Sequence, residues 1–190
     1  MDPFDYAFNH TLGLEGGYSN VPADRGGETK YGITRATFEQ ALAKGIISGT
    51  YDIKDLTIAQ ARAIYRTDYW LPLRLNEIRF PEIAAEIFDT AVNSGAKKAT
   101  LFAQLALDYL GEPIKCDGVM GPVTIGLLNK WGKLDLQALM VCLNGFQFIH
   151  FVSIVDGDLI GRIQSLVKSN PSQRIFARGW TKRIQSYKEG

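Results

Sequence analysis

The sequence predicts a mainly α-helical fold with at most one small β-hairpin. Apolar residues recur three and four positions apart along most of the chain, and almost no stretch alternates with the period of a strand. Several of the predicted helices also begin with a capping or proline signal. The 190 residues are enough to bury a substantial core without disulfides, so we expect a compact helical protein.

The first helix is expected to begin near Phe4 and to stop near Glu15, where Gly16-Gly17 interrupts it. Its apolar positions have helical spacing: Phe4, Ala7, Phe8, Thr11 and Leu12. Residues 16–33 are rich in Gly, Pro, Asp, Asn and Ser, with short Tyr, Ile and Thr stretches, which predicts a small hairpin. Glu15 is therefore expected at a helix end that faces a loop.

Seven further helices are predicted from the same spacing. Thr57-Ile58-Ala59-Gln60 has the form of a capping box, and Pro81, Pro122 and Pro171 suit first helical turns. The predicted ranges are 35–44, 57–69, 81–94, 97–110, 122–131, 135–155 and 171–185.

The stretch from Leu134 to Val155 is apolar enough to raise the question of a membrane span. Polar residues interrupt it: Asp135, Gln137, Asn144, Gln147 and His150. A membrane-spanning helix needs a longer unbroken apolar run. We therefore expect a buried central helix and no stable membrane insertion.

The overall charge is balanced, with 21 Lys and Arg against 20 Asp and Glu, which argues against a nucleic-acid partner. The basic residues are concentrated in 160–190, where seven of them and a single acid give +6. This indicates a solvated basic face, or a surface for an anionic polymer such as a cell wall. Two cysteines and two histidines have no zinc spacing, so neither a metal site nor a cofactor is expected.

Chemistry is indicated by the block Gly13-Leu14-Glu15-Gly16-Gly17-Tyr18 and its continuation to Thr34. Cleavage of a glycosidic bond needs a carboxylic acid to protonate the leaving oxygen, often with a second carboxylate or a positioned water. Partial burial of Glu15 against Leu14 and Phe8 would raise its pKa and retain that proton. Asp24 could act as the second carboxylate, or Thr29 and Tyr31 could hold the water. An ordinary surface turn has the same composition and stays open as an alternative.

The motif Glu15-Gly16-Gly17-Tyr18, followed by Asp24-Arg25-Gly26-Gly27-Glu28-Thr29-Lys30-Tyr31-Gly32-Ile33-Thr34, closely resembles the N-terminal signature of the family 108 glycoside hydrolases. These are N-acetylmuramidases found among phage endolysins and bacterial secretion-associated lysozymes. Tyr69-Trp70-Leu71-Pro72 and 88–95 (FDTAVNSG) look like later blocks of that family. The resemblance implies a lysozyme-like fold.

The same resemblance assigns roles to two residues. It implies that Glu15 is the catalytic general acid, and it carries over Asp24 only as a candidate second carboxylate. The loop is also similar to that of phage-type lysozymes, which by analogy supports Asp24 and Thr29 as partners of Glu15.

Other residues are candidates for substrate binding or for the core. Four aromatic residues could line a saccharide groove: Tyr18, Tyr31, Tyr69 and Trp70. For Tyr69 and Trp70, core packing is an equal alternative. Asn93 lies four residues after Asp89, where its amide could contact an N-acetyl group or, as we favour, brace the catalytic loop.

The C-terminal half has its own signature. Residues 116–124 (CDGVMGPVT) are similar to the turn of small helical peptidoglycan-binding modules, and we favour a structural role for them. We therefore expect a catalytic region at 1–95 and a peptidoglycan-binding-like helical region at 96–190, packed as one compact unit.

These features predict hydrolysis of the β-1,4 bond between N-acetylmuramic acid and N-acetylglucosamine in peptidoglycan glycan strands. The alternatives are a lytic transglycosylase that cuts the same bond and a non-catalytic wall-binding or phage-structural module. The acidic start Met1-Asp2-Pro3-Phe4-Asp5 is unlike a secretory signal. We therefore expect synthesis in the cytoplasm, and action in the periplasm or on the wall after release by a holin or a secretion system.

Overall fold

The computed structural model describes residues 2–12, 17–20 and 27–158 together with Thr181. The helices in this part of the chain are α1 (Pro3–Leu12), α2 (Arg35–Ala43), α3 (Ile58–Tyr65), α4 (Pro81–Ser94), α5 (Ala96–Tyr109) and α6 (Pro122–Val155). The strands are β1 (Tyr18–Asn20), β2 (Glu28–Lys30) and β3 (Ile33–Thr34). The predicted mainly α fold is confirmed.

The helix starts follow the local signals. At α3, the Thr57 hydroxyl accepts from the Gln60 amide at 3.3 Å, and the Gln60 side chain accepts from the Thr57 amide at 2.9 Å. This is the predicted capping box. Pro81 and Pro122 occupy the first turns of α4 and α6. The helix predicted at 171–185 lies outside the described residues except for Thr181, which is helical.

The helix predicted at 57–69 changes type partway. α3 ends at Tyr65, and Arg66–Trp70 continues as a π-helical turn in which the Leu71 amide donates to the Arg66 carbonyl at 2.9 Å. A π turn bonds residues five apart, so it rotates the side chains that follow relative to a regular helix. This turn brings Trp70 into the core.

The three strands form an antiparallel sheet in the order β1-β2-β3. β1 and β2 make the expected hairpin, and the two-residue strand β3 extends it. Tyr31 and Gly32 form the turn between β2 and β3 with φ of 51° and 72°. Two successive positive φ values suit the right-handed twist of a two-residue hairpin, although tyrosine rarely adopts them.

The hairpin turn is fixed against α3 and the core. The Tyr65 hydroxyl donates to the Tyr31 carbonyl at 3.0 Å. A Cβ at Gly32 would lie 2.8 Å from that same hydroxyl, so glycine is needed there for space as well as for its φ. This contact joins the hairpin turn to the end of α3.

α4 lies at the centre of the fold and packs against α1, α5 and α6. On the α1 side, the Phe88 ring lies 5.9 Å from Phe4, 6.1 Å from Tyr65 and 5.8 Å from Trp70, centroid to centroid. Edge-to-face aromatic packing of this kind adds to the free energy of apolar burial. A single buried cluster contains residues from both 1–95 and 96–190. The functional division at residue 95 stays a prediction.

α6 joins the two helices predicted at 122–131 and 135–155. Asp135 interrupts it with φ −163° and ψ 81°, and its carboxylate accepts from the Ala138 amide at 3.1 Å. Asp135 therefore acts as an N-cap for the second half of α6. The expectation that this second half is a buried central helix is wrong for its outer face, because Phe148 is 67% exposed and Val155 is 89% exposed.

Candidate active site

The sequence places the predicted catalytic residues on two connections around the sheet. Glu15 falls between the end of α1 at Leu12 and the start of β1 at Tyr18, and Asp24 falls between β1 and β2. Both Glu15 and Asp24 lie outside the described residues. The described structure therefore shows the elements around the site. These are α1, the sheet, α2 and the short helical turn Ile53–Asp55 that contacts the sheet.

One face of the sheet carries a network of charged groups centred on Glu28. The Tyr18 hydroxyl donates to Glu28 Oε1 at 2.7 Å, and the Arg35 guanidinium donates to Glu28 Oε2. Arg35 also lies 3.4 Å from the Asp52 carboxylate. The hydrogen bond from Tyr18, then those from Arg35, lower the pKa of Glu28. Glu28 is thus held as a carboxylate.

Two lysines complete this face. The Lys54 ammonium lies 5.4 Å from the centroid of the Tyr18 ring, within the range of a cation–π contact. Lys30 donates to the Lys54 carbonyl, and its ammonium lies 5.6 Å from the Tyr31 ring centroid. The exposed Tyr18 therefore contacts Glu28 through its hydroxyl and Lys54 through its ring.

Tyr18 and Thr29 lie on opposite faces of the sheet. The register pairs Tyr18 with Lys30 and pairs Ser19 with Thr29, which in turn pairs with Thr34. Because side chains alternate along a strand and paired residues share a face, the hydroxyls of Ser19, Thr29 and Thr34 form a row on the side away from Tyr18. Of these predicted site residues, Thr29 belongs to the hydroxyl face and Tyr18 to the charged face.

The other predicted aromatic candidates differ in accessibility. Tyr31 is half-buried at the hairpin turn. Tyr69 is half-buried with its ring 5.7 Å from Tyr65, and burial raises the pKa of its hydroxyl. Trp70 is only 1% exposed and packs against Phe4 at 5.4 Å. Of the two roles predicted for Trp70, core packing is therefore the one observed, and a glycan in a surface groove cannot reach its ring.

Asn93 lies on the exposed side of α4 near its C-terminal end. Its side-chain amide donates to the Asp89 carbonyl one turn earlier at 2.9 Å. The Asp89 carboxylate itself accepts from Gln147 of α6 at 3.0 Å. Asn93 therefore bonds within its own helix, and nothing in the described part of the chain connects it to the sheet.

Sequence reasoning did not single out Glu28 and Arg35, although Glu28 lies within the quoted motif. Glu28 bonds to Tyr18, which lies ten residues earlier in the chain. The sequence could have indicated this contact only if the register of the hairpin had been known. Within the described ranges, no group of three or more His, Cys, Asp or Glu side chains is arranged to hold a metal ion.

Comparisons with known proteins give one family match and a similar solved structure. Residues 8–95 match the family model for glycosyl hydrolase 108. A solved structure of SagA from Brucella abortus is similar in fold, with a TM-score of 0.63 and 24% sequence identity over 95% of this chain and 94% of that chain. No curated protein sequence matches the chain.

The matched segment runs from α1 through the whole sheet to the end of α4, so it contains both the Glu15 motif and the frame described above. The likeness to SagA shows that the fold extends over nearly the full chain. The match to glycosyl hydrolase 108 over residues 8–95, slightly less than half of the chain, supports a glycoside hydrolase.

Proposed function

We propose that the protein is a muramidase that hydrolyses the β-1,4 bond between N-acetylmuramic acid and N-acetylglucosamine, with Glu15 as the proton donor. The observation that carries the proposal is the family match over residues 8–95, which includes the Glu15-Gly16-Gly17-Tyr18 motif. The position of that motif between α1 and the sheet supports it.

Covalent geometry limits where the two carboxyl groups can lie. Glu15 is three residues from Tyr18, so their Cα atoms are at most about 11 Å apart. Asp24 is four residues from both Asn20 and Glu28, which are paired across the hairpin, and this keeps its Cα within about 14 Å of each. These bounds are compatible with both carboxyl groups acting beside the sheet, as the proposal requires.

Glu28 is a poor proton donor in comparison. Tyr18 and Arg35 hydrogen-bond its two oxygens and lower its pKa, so it carries no proton at neutral pH. A general acid must instead retain its proton until the bond breaks. Glu28 is therefore suited to binding Tyr18 and Arg35 as a carboxylate. We assign the role of proton donor to Glu15 instead.

In the proposed reaction, Glu15 protonates the glycosidic oxygen as the bond to the sugar breaks. Asp24 then stabilises the positive charge that develops on the sugar ring or activates water on its opposite side. Thr29, on the hydroxyl face of the sheet, is the candidate for holding that water.

The decisive test is Glu15→Gln, which keeps the size of the side chain and removes the acid. We expect loss of peptidoglycan clearing by at least about 100-fold, with an unchanged circular dichroism spectrum and melting temperature. Glu82→Gln, at an exposed position of α4, is the matched control and should clear normally. Near-normal clearing by Glu15→Gln would remove the assignment.

Product analysis separates hydrolysis from transglycosylation. Hydrolysis adds water and leaves a reducing N-acetylmuramic acid end, whereas a transglycosylase closes an anhydro ring and gives muropeptides lighter by one water. We expect reducing ends in the mass spectrum of the digest. Anhydro products would replace the muramidase with a lytic transglycosylase while keeping Glu15 as the acid.

A further inference from the structure

The strands beside the candidate site are too short to hold their register firmly by backbone pairing alone. β1 and β2 have three residues each, and β3 has two. A shift of one residue between paired strands turns every side chain of the shifted strand to the opposite face of the sheet. A ladder with so few backbone hydrogen bonds resists such a shift weakly, so side-chain contacts must contribute.

The hydrogen bond between Tyr18 and Glu28 depends on the observed register. Tyr18 is opposite Lys30, and Glu28 lies two residues before Lys30 on the same face. Tyr18 and Glu28 are therefore diagonal neighbours across the hairpin, and the Tyr18 hydroxyl donates to Glu28 Oε1 at 2.7 Å. A shift of one residue would place the two groups on opposite faces and break this bond.

A second contact of Glu28 ties the hairpin to α2. The Arg35 guanidinium donates to Glu28 Oε2, and it lies 3.4 Å from the carboxylate of Asp52, the N-cap of Ile53–Asp55. The Glu28 side chain is only 15% exposed, so water competes less for its bonds than for those of a fully exposed ion pair. One carboxylate thus connects β1, β2 and α2.

The same register decides on which face the Thr29 hydroxyl lies. Thr29 follows Glu28 directly in β2 and lies on the opposite face, between Ser19 of β1 and Thr34 of β3. The Thr34 hydroxyl accepts from the Thr37 amide at 3.3 Å, which caps the start of α2. Because Thr34 is fixed to α2 in this way, a shifted β2 would remove Thr29 from the row of hydroxyls.

We propose that Glu28 is a positioning residue for glycan hydrolysis: its bonds to Tyr18 and Arg35 hold the hairpin in the register that presents the Thr29 hydroxyl to the reacting water. This inference rests on the proposed function, in which Glu15 is the acid and Thr29 holds the water. In this role Glu28 transfers no proton and touches no substrate. Its removal should slow the chemical step more than it weakens substrate binding, because a displaced hydroxyl no longer orients the water.

The test compares Glu28→Ala with Glu28→Gln in the release of reducing ends from soluble peptidoglycan fragments. We expect Glu28→Ala to lower kcat at least about tenfold while KM stays within about twofold of the wild type. Glu28→Gln keeps an oxygen that can accept from Tyr18, so it should retain most of the kcat. Glu77→Gln, which removes the carboxylate charge of another ion pair, Arg74–Glu77, is the matched control and should behave as the wild type does.

A double-mutant cycle with Thr29→Ala separates positioning from a general loss of structure. If Glu28 acts through Thr29, Glu28→Ala should cost little further activity in a chain that already carries Thr29→Ala. Tyr18→Phe keeps the aromatic ring and removes only the bond to Glu28, so it should also lower kcat with little change in KM. This second variant gives the answer if Glu28→Ala does not fold.

Four results would overturn the proposal. They are a normal kcat in Glu28→Ala, a normal kcat in Tyr18→Phe, equal losses in Glu28→Ala and Glu28→Gln, and a full further loss on adding Glu28→Ala to Thr29→Ala. Glu15→Gln is measured beside them. Activity in that variant removes the proposed function, whereas its inactivity together with normal kinetics of Glu28→Ala removes the positioning role alone.

Discussion

At the scale of single residues, Glu86 carries the largest pKa change among the described carboxyl groups that face the interior. It lies on the side of α4 that faces α6, with Asp89 one turn away and the neutral amides Asn144 and Gln147 opposite. Its Oε1 atom is buried without a hydrogen-bond partner among the described residues. Burial, and then the charge of Asp89, raise the pKa of Glu86 to about 7.

This shift predicts a pH-dependent free energy of unfolding. The folded pKa lies above the ordinary value of 4.5, so the stabilising protonated form is fully present below that value and is lost as the pH rises through 7. The loss amounts to about 3 kcal/mol at most. Glu86→Gln should remove this dependence and be more stable than the wild type at pH 8.

Urea unfolding at several pH values from 4 to 8 measures the effect, with Glu82→Gln on the exposed side of α4 as the control. Curves of stability against pH that run parallel for wild type and Glu86→Gln would contradict the prediction. The sequence could not reveal this group, because its pKa depends on which helix faces it.

At the scale of elements, Gln104 of α5 organises the turn between α5 and α6. Its Oε1 accepts from the Gly118 amide at 2.8 Å, and its Nε2 donates to the Asp117 carboxylate at 3.0 Å and to the Val119 carbonyl at 3.2 Å. Asp117 also accepts from the Val119 amide at 3.0 Å. Asp117, Gly118 and Val119 of the segment 116–124 (CDGVMGPVT) thus have the structural role that the sequence pattern favoured.

We expect Gln104→Leu to lower the free energy of unfolding by about 1–3 kcal/mol. Leucine cannot make the hydrogen bonds that Gln104 makes to the Gly118 amide and the Asp117 carboxylate. Denaturant unfolding measures the change. Gln40→Leu, at an exposed position of α2, should change stability little. If both variants behaved alike, the turn would not depend on Gln104.

At the scale of the whole molecule, the two halves of the chain meet at Gly132. A Cβ on this residue of α6 would lie 2.3 Å from Cδ2 of Phe80, just before α4. The contact joins the family region at 8–95 to the C-terminal half. Close packing of this kind leaves no space for a methyl group unless the aromatic ring moves.

Gly132→Ala is therefore expected to destabilise the protein by about 1–3 kcal/mol through overpacking. Phe80→Leu in the same chain should restore part of the loss, because it makes room for the methyl group. Thermal unfolding followed by far-UV circular dichroism and by tryptophan fluorescence should show one shared transition. Two separate transitions, or no rescue by Phe80→Leu, would show that the halves are not coupled there.

The helices were predictable from sequence because their signals are local. The capping box at Thr57, the prolines at 81 and 122, and the apolar spacing of α4 act within a few residues, and the structure confirms them. The family motif was readable for the same reason, since it is a continuous stretch of chain. The catalytic roles of Glu15 and Asp24 stay predictions.

The amino-acid sequence alone determined the mainly α class, most helix starts and the similarity to glycosyl hydrolase 108. Tertiary structure decided that Trp70, at the end of a π-helical turn, is buried, and that Glu28 is hydrogen-bonded by Tyr18 and Arg35. It also decided that apolar residues on the outer face of α6 are exposed. The physical reason is distance along the chain: a helix start depends on neighbouring residues, whereas burial, pKa and exposure depend on residues that only folding brings together.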